Sequence, residues 1–187
     1  AGDEITLGAV SGRVLFTPEQ IRDRVQEIGR SLRERLGDER PVFIGLLHGG
    51  FVFLSDLIRA FNRPHTIDFL KVSRYDPPGL DPTDVRLIQD LSGNIRGRTA
   101  VVVEGIRARG TKIEYVDRFL RLHEPSRIEY CAMIRPEPAN QVVPLAEAGF
   151  SIGDEFVVGY GLDYREQFRN LPSIIVLESS REDRPSS

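Results

Sequence analysis

Thr99-Ala100-Val101-Val102-Val103-Glu104-Gly105-Ile106-Arg107-Ala108-Arg109-Gly110-Thr111-Lys112 is the stretch on which the fold turns. Its first half is an unbroken apolar run, the pattern of a strand covered on both faces. A loop containing glycine follows. From Thr111 onward, Ile113, Val116, Phe119 and Leu120 recur at helical spacing, and the helix ends before Pro125. Strand, loop and helix in that order form the repeating unit of a parallel α/β sheet.

The same alternation extends outward. Thr17-Pro18-Glu19-Gln20 reads as a helix start, with Thr17 as cap, Pro18 in the first turn and Gln20 completing a capping box. Ile21, Val25, Ile28, Leu32 and Leu36 carry the apolar stripe, and Gly37 stops it. Residues 41–47 form a buried strand that breaks at Gly49-Gly50, before a helix through Phe51, Leu54, Leu57, Ile58 and Phe61. Further strands are expected at residues 67–74, 85–91, 127–135, 156–160 and 173–177, with a turn-rich excursion at 76–83. The polar tail, residues 179–187, is expected to be disordered. A mostly parallel twisted sheet flanked by helices is the expected fold. Ligands of such sheets bind beyond the carboxyl ends of the strands. That singles out the loops 47–50, 104–112 and 156–169.

Composition narrows the function. The chain has 187 residues, a length suited to one domain with its own core. Its single cysteine, Cys131, excludes an intramolecular disulfide framework and suits a reducing compartment. His48, His65 and His123 lie far apart, so no Cys/His metal spacing exists. A net charge of −3 argues against a general nucleic-acid binder. No run reaches the length of a membrane span and no signal-peptide pattern is present, so a cytoplasmic protein is expected. Of the 25 basic residues, only Lys71 and Lys112 are lysines.

Two stretches carry chemistry. At the loop before Thr111, free backbone N–H groups and the helix dipole would form an anion site. Arg107, Arg109 and Lys112 add cations there, Thr111 a hydroxyl, and Gly110 the flexible backbone; phosphate is the natural guest. The same letters also fit a solvated basic turn. In the second stretch, residues 154–172, Phe156 could stack on a flat ring, Asp163 hold a hydrated Mg²⁺, and Arg169 grip a phosphate. The competing reading places Phe156 in the core and pairs Asp163 with Arg169 as an ordinary ion pair.

Within that second stretch, Phe156-Val157-Val158-Gly159-Tyr160-Gly161-Leu162-Asp163-Tyr164, then Glu166, Phe168-Arg169 and Leu171-Pro172, resembles the hypoxanthine-guanine phosphoribosyltransferase family almost letter for letter. Leu47, Gly49-Gly50, Ile67-Asp68-Phe69, Tyr75, Val85-Arg86-Leu87-Ile88 and Asp90-Leu91 extend the likeness along nearly the whole chain. The resemblance implies a type I phosphoribosyltransferase fold over residues 1–178 with a small hood region. It implies transfer of a phosphoribosyl group from phosphoribosyl pyrophosphate to a purine, with Mg²⁺. Phe156 would stack on the base and Val157 meet its edge, while Arg135 stands where a lysine contacts the exocyclic oxygen. His48, Gly49 and Arg169 would bind pyrophosphate, and Asp163 would help hold Mg²⁺. Ser73, Arg74 and Tyr75 would open a covering lid. A homodimer or homotetramer is also implied.

The departures fall in the first stretch. The family's loop reads Glu-Asp-x-x-Asp-Thr/Ser-Gly-x-Thr. Here Glu104 is kept, but Gly105 replaces the second acid and Ala108 the catalytic Asp. Arg109 replaces the Thr/Ser, and Lys112 the closing Thr. Glu104 is therefore the one acid of the loop left for a ribose hydroxyl. His48 replaces a lysine and Arg74 a serine. Two functions are expected to compete: a divergent transferase on a purine nucleotide or phosphoribosyl pyrophosphate, and a catalytically inactive nucleotide-binding protein on the same scaffold. RNA binding is a third, disfavoured by the acidic balance.

Overall fold

Strand Thr99–Ile106 lies mid-sheet, which accounts for its unbroken apolar run: residues 99–105 are buried and only Ile106 reaches the surface. The coordinates are a computed structural model that describes residues 4–7, 10–74, 85–107, 110–138 and 142–178. Ten strands and three helices run in chain order among them. These are β1 (Glu4–Leu7), β2 (Val10–Phe16), α1 (Pro18–Leu36), β3 (Val42–Leu46), α2 (Phe51–Phe61), β4 (Thr66–Arg74), β5 (Val85–Gln89), β6 (Thr99–Ile106), α3 (Thr111–Leu122), β7 (Arg127–Pro136), β8 (Glu147–Ile152), β9 (Val157–Val158) and β10 (Ile174–Leu177).

The large sheet has the order β5-β4-β3-β6-β7-β8. All its neighbours are parallel except β4 and β5, which pair antiparallel. Alternate residues divide the core in two. Phe43, Val101, Val103, Cys131 and Met133 pack with α1 and α2, through residues such as Ile28, Leu32, Phe53 and Leu57. Ile44, Val102 and Ala100 face Ile113, Val116 and Leu120 of α3. Helices therefore cover both faces, as the alternation predicts. A second, antiparallel sheet in the order β1-β2-β10-β9 forms the hood.

The start of α1 follows its sequence. Gln20 donates its N–H to Thr17 Oγ1 at 3.3 Å, and Thr17 donates its N–H to Gln20 Oε1 at 2.9 Å. Where α1 crosses α2, a Cβ on Gly29 would meet the Ala60 methyl at 2.7 Å, so glycine is what lets these helices touch.

Four strands depart from the expectation, the first being the short β1, which the sequence reading does not include. β2 and β8 went unrecognised because each carries a glycine at mid-strand, which reads as a break. A Cβ on Gly12 would meet Val176 O at 2.8 Å, and one on Gly149 would overlap the Met133 carbonyl, so both are close backbone approaches inside a sheet. The strand expected at 156–160 shrinks to Val157–Val158, because Gly159, Tyr160 and Gly161 take positive φ values of 91°, 51° and 95°. The expected tail at 179–187, the turn-rich excursion at 76–83, Tyr75, Ala108 and Arg109 lie outside the described residues. No described helix is long and apolar enough to cross a membrane.

Cys131 is fully buried in β7. Burial pushes its thiol well above the ordinary range, and the carboxylates of Glu147 and Glu129 add to the effect. The folded protein should therefore resist alkylation at pH 8 and react once denatured, as mass spectrometry of iodoacetamide-treated samples would show. Rapid labelling of the native state would contradict this packing.

Candidate active site

Three loops converge at the carboxyl ends of β3, β6 and β9. They enclose a cleft of about 280 Å³ lined by residues 46–50, 104–106 and 162–163, with Lys112 and Arg169. These are the loops that the sequence singles out. Their approach is close enough to exclude side chains. A Cβ on Gly105 would overlap the Gly49 carbonyl, and one on Gly161 would meet that same oxygen at 2.7 Å. A Cβ on Gly50 would meet Val103 O at 2.5 Å. The Leu47–His48 peptide in this loop is cis.

The segment 159–168 wraps tightly because six of its residues take positive φ, among them Arg165, Glu166 and Phe168. Such left-handed conformations cost of order 1–3 kcal/mol for each residue other than glycine, and they cluster where geometry serves a site. The result brings Asp163 and Arg169 together. Arg169 Nη2 lies 3.1 Å from Asp163 Oδ1 and 3.1 Å from Glu166 Oε2, and Nη1 donates to Gly161 O at 2.9 Å. Asp163 Oδ2 accepts the Glu166 N–H at 2.8 Å. The hydrogen bond from Arg169 holds the Glu166 carboxyl below the usual carboxylate range, and the charges of Arg169, His48 and Lys71 add to it. His48 Nε2 lies 3.3 Å from Lys71 Nζ on β4.

Arg107 sits elsewhere than the sequence suggests, while Glu104 keeps a place on the cleft wall. Glu104 and Arg107 are both buried, at 2% and 6% exposure. Arg107 Nη1 is 2.5 Å from Glu104 Oε2, and Nη2 donates to Val143 O. The guanidinium lies over the Tyr130 ring, 5.1 Å from its centroid. Arg107 is thus an internal counter-ion for Glu104, not a rim cation awaiting phosphate. The reason is local: its N–H donates to Ile134 O, which continues the sheet one residue past β6 and turns the side chain inward.

The remaining expected residues divide into those inside the cleft and those beside it. Lys112 and Gly49 line it. Gly110 and Thr111 are exposed at the start of α3, where Gly110 has φ 65°. Arg74 ends β4 opposite Val85 of β5. On the base side, Val157 is buried in β9, paired with Val176. Phe156 is 37% exposed, its ring edge-on to Tyr164 at 5.9 Å. Arg135 binds Ser151 Oγ at 2.8 Å and Glu137 Oε1 at 2.9 Å, while its buried Nε has no hydrogen-bond partner among the described residues.

A larger groove of about 670 Å³ runs between α1, α2 and residues 169–172. Its lining is mainly apolar, with Tyr160 donating to Asp56 at 2.6 Å, and it shares Arg169 with the cleft. The convergent charge lies in the smaller cleft. Lys71 escaped the sequence reading, although as one of two lysines it stands out in an arginine-rich chain.

Fold and cleft together define an α/β protein with basic side chains gathered at the strand ends. The phosphoribosyl transferase domain model matches residues 17–165. A hypoxanthine phosphoribosyltransferase of Salmonella typhimurium is 38% identical over 164 residues, covering 86% of this chain and 92% of that one. The crystal structure of a Staphylococcus aureus hypoxanthine phosphoribosyltransferase superposes with a TM-score of 0.82 at 33% identity, covering 89% of this chain and 91% of that one. A variant of the Trypanosoma cruzi hypoxanthine phosphoribosyltransferase, in complex with the product IMP, gives 0.81 at 28% identity over 92% of this chain and 93% of that one. This chain belongs to the phosphoribosyltransferase family, in its hypoxanthine-guanine branch.

Removing Arg107 would take from buried Glu104 the guanidinium 2.5 Å away. Arg107→Leu is expected to destabilise the protein by about 3–5 kcal/mol. The double variant Arg107→Leu/Glu104→Leu should recover most of that loss in urea denaturation. An Arg107→Leu protein as stable as the original would contradict the buried pair.

Proposed function

We propose that this protein transfers a phosphoribosyl group from phosphoribosyl pyrophosphate to an oxopurine base, releasing pyrophosphate. In that reaction the bond from ribose C1 to pyrophosphate oxygen breaks, and the leaving group keeps the electron pair. A bond forms from C1 to a ring nitrogen, and the base loses a proton. The observation that carries the reading is the cleft itself, where His48, Lys112 and Arg169 meet Asp163 at the strand ends.

His48, Gly49 and Arg169 would hold the pyrophosphate, while Lys112, Gly110, Thr111 and Arg109 would meet the 5′-phosphate at the start of α3. Phe156 would stack on the base. Arg135, standing where the family's lysine contacts the exocyclic oxygen, would donate from its guanidinium to that oxygen, which favours hypoxanthine or guanine over adenine. Asp163 offers one carboxylate, and no described cluster of three or more ligating side chains exists. Mg²⁺ commonly binds through one or two carboxylates plus substrate phosphates. This donor set suits an ion carried on the donor's phosphates. A homodimer or homotetramer, proposed on the family likeness alone, completes the reading.

Gly105 and the Glu104–Arg107 pair favour a second reading, nucleotide binding without turnover. Ala108 cannot accept the proton of the base, and a missing general base costs about 10²- to 10⁴-fold in rate. Positioning and electrostatics supply the rest of the barrier reduction, so slow transfer remains the expected outcome.

Pyrophosphate release from phosphoribosyl pyrophosphate, Mg²⁺ and a panel of purines decides between them. Slow release with hypoxanthine or guanine is expected. Ala108→Asp should raise the rate by about a hundredfold or more. Gly105→Asp should not, because its Cβ overlaps the Gly49 carbonyl. Silence from the unmodified protein and from Ala108→Asp, at high concentration with every base, would overturn the transferase reading.

A further inference from the structure

Lys71 has no part in the reading above, yet its position connects it to the cleft. Phe69, two residues earlier on β4, packs on the α2 side of β3, where its ring would lie 3.1 Å from a Cβ on Gly45. Alternation along a strand puts Lys71 on that same face, one step nearer the loop 47–50. Leu47 donates its N–H to Leu70 O, which anchors this loop beside Lys71. The ammonium then reaches His48, with Nζ 3.3 Å from Nε2. Lys71, His48 and Arg169 all act on the single carboxyl of Glu166, which is exposed at the mouth of the cleft.

The local charges leave this trio facing an anion. Glu104 is neutralised from inside by Arg107, and Asp163 is bound by Arg169 and by the Glu166 amide. A lysine is a point charge on a flexible stem, so it can exchange its contact with the His48 ring for one with a charged oxygen. Hydrogen bonds to charged acceptors are shorter and about twice as strong as neutral ones.

We propose that Lys71 is a ligand of the diphosphate group, binding the pyrophosphate moiety together with His48 and Arg169. The assignment rests on the transferase reading, since it adds a residue for that reaction's leaving group. It also gives the loop, where His48 stands in place of the family's lysine, a second cation from the neighbouring strand.

Calorimetric titration with inorganic pyrophosphate, alongside IMP as a monophosphate control, tests it. Lys71→Gln is expected to weaken pyrophosphate binding about tenfold or more while leaving IMP affinity nearly unchanged. Lys71→Arg should keep pyrophosphate affinity close to that of the unmodified protein. Unchanged pyrophosphate affinity in Lys71→Gln would overturn the assignment and leave the transferase reading standing. Equal weakening toward both ligands would also overturn it, reducing Lys71 to a support for the loop. If the unmodified protein bound neither ligand, the transferase reading would fall and the assignment with it.

Discussion

The carbonyl of Gly49 is the point on which the strand-end architecture depends. Gly105 and Gly161 both approach it so closely that neither could carry a Cβ without moving the backbone. Gly50 is fixed in the same way against Val103 at the end of β6. Three chain segments distant in sequence therefore meet backbone to backbone. Small side chains are a consequence of that convergence, and so is a cleft of only about 280 Å³. At Gly105 the neighbouring loop occupies the space a side chain would need.

Charge follows from the same geometry. The loop after β6 keeps one acid, Glu104, and Arg107 turns inward to neutralise it beneath Tyr130. The cleft also gathers His48 before α2 and Arg169 after the tight turn, with Lys71 of β4 behind His48 at 3.3 Å. The site that results is better furnished for phosphate oxygens than for sugar hydroxyls.

Much of the fold was legible in the sequence because its signals are local. The Thr17 capping box, the stripe of α1 and the apolar run of β6 each state their own structure, and each forms as written. Two strands that were hidden, β2 and β8, contain glycines whose purpose is non-local: they admit the backbone of a neighbouring strand. The site was legible at the level of loops and only partly at the level of side chains. Asp163 and Arg169 pair as their spacing allows. Arg107 was misread because direction is not encoded by residue type. An arginine in a basic loop looks solvated until the sheet is seen to continue through its backbone. Lys71 was missed because its relevance lies in pairing with a histidine 23 positions earlier, a contact set by the register of β3 and β4.

The central claim is that this cleft holds a phosphoribosyl donor. Calorimetric titration of phosphoribosyl pyrophosphate with Mg²⁺ into the unmodified protein tests it most directly. One saturable site per chain, weakening as salt is raised, is the predicted result. No saturable heat at millimolar donor, from protein shown to be folded, would contradict the account.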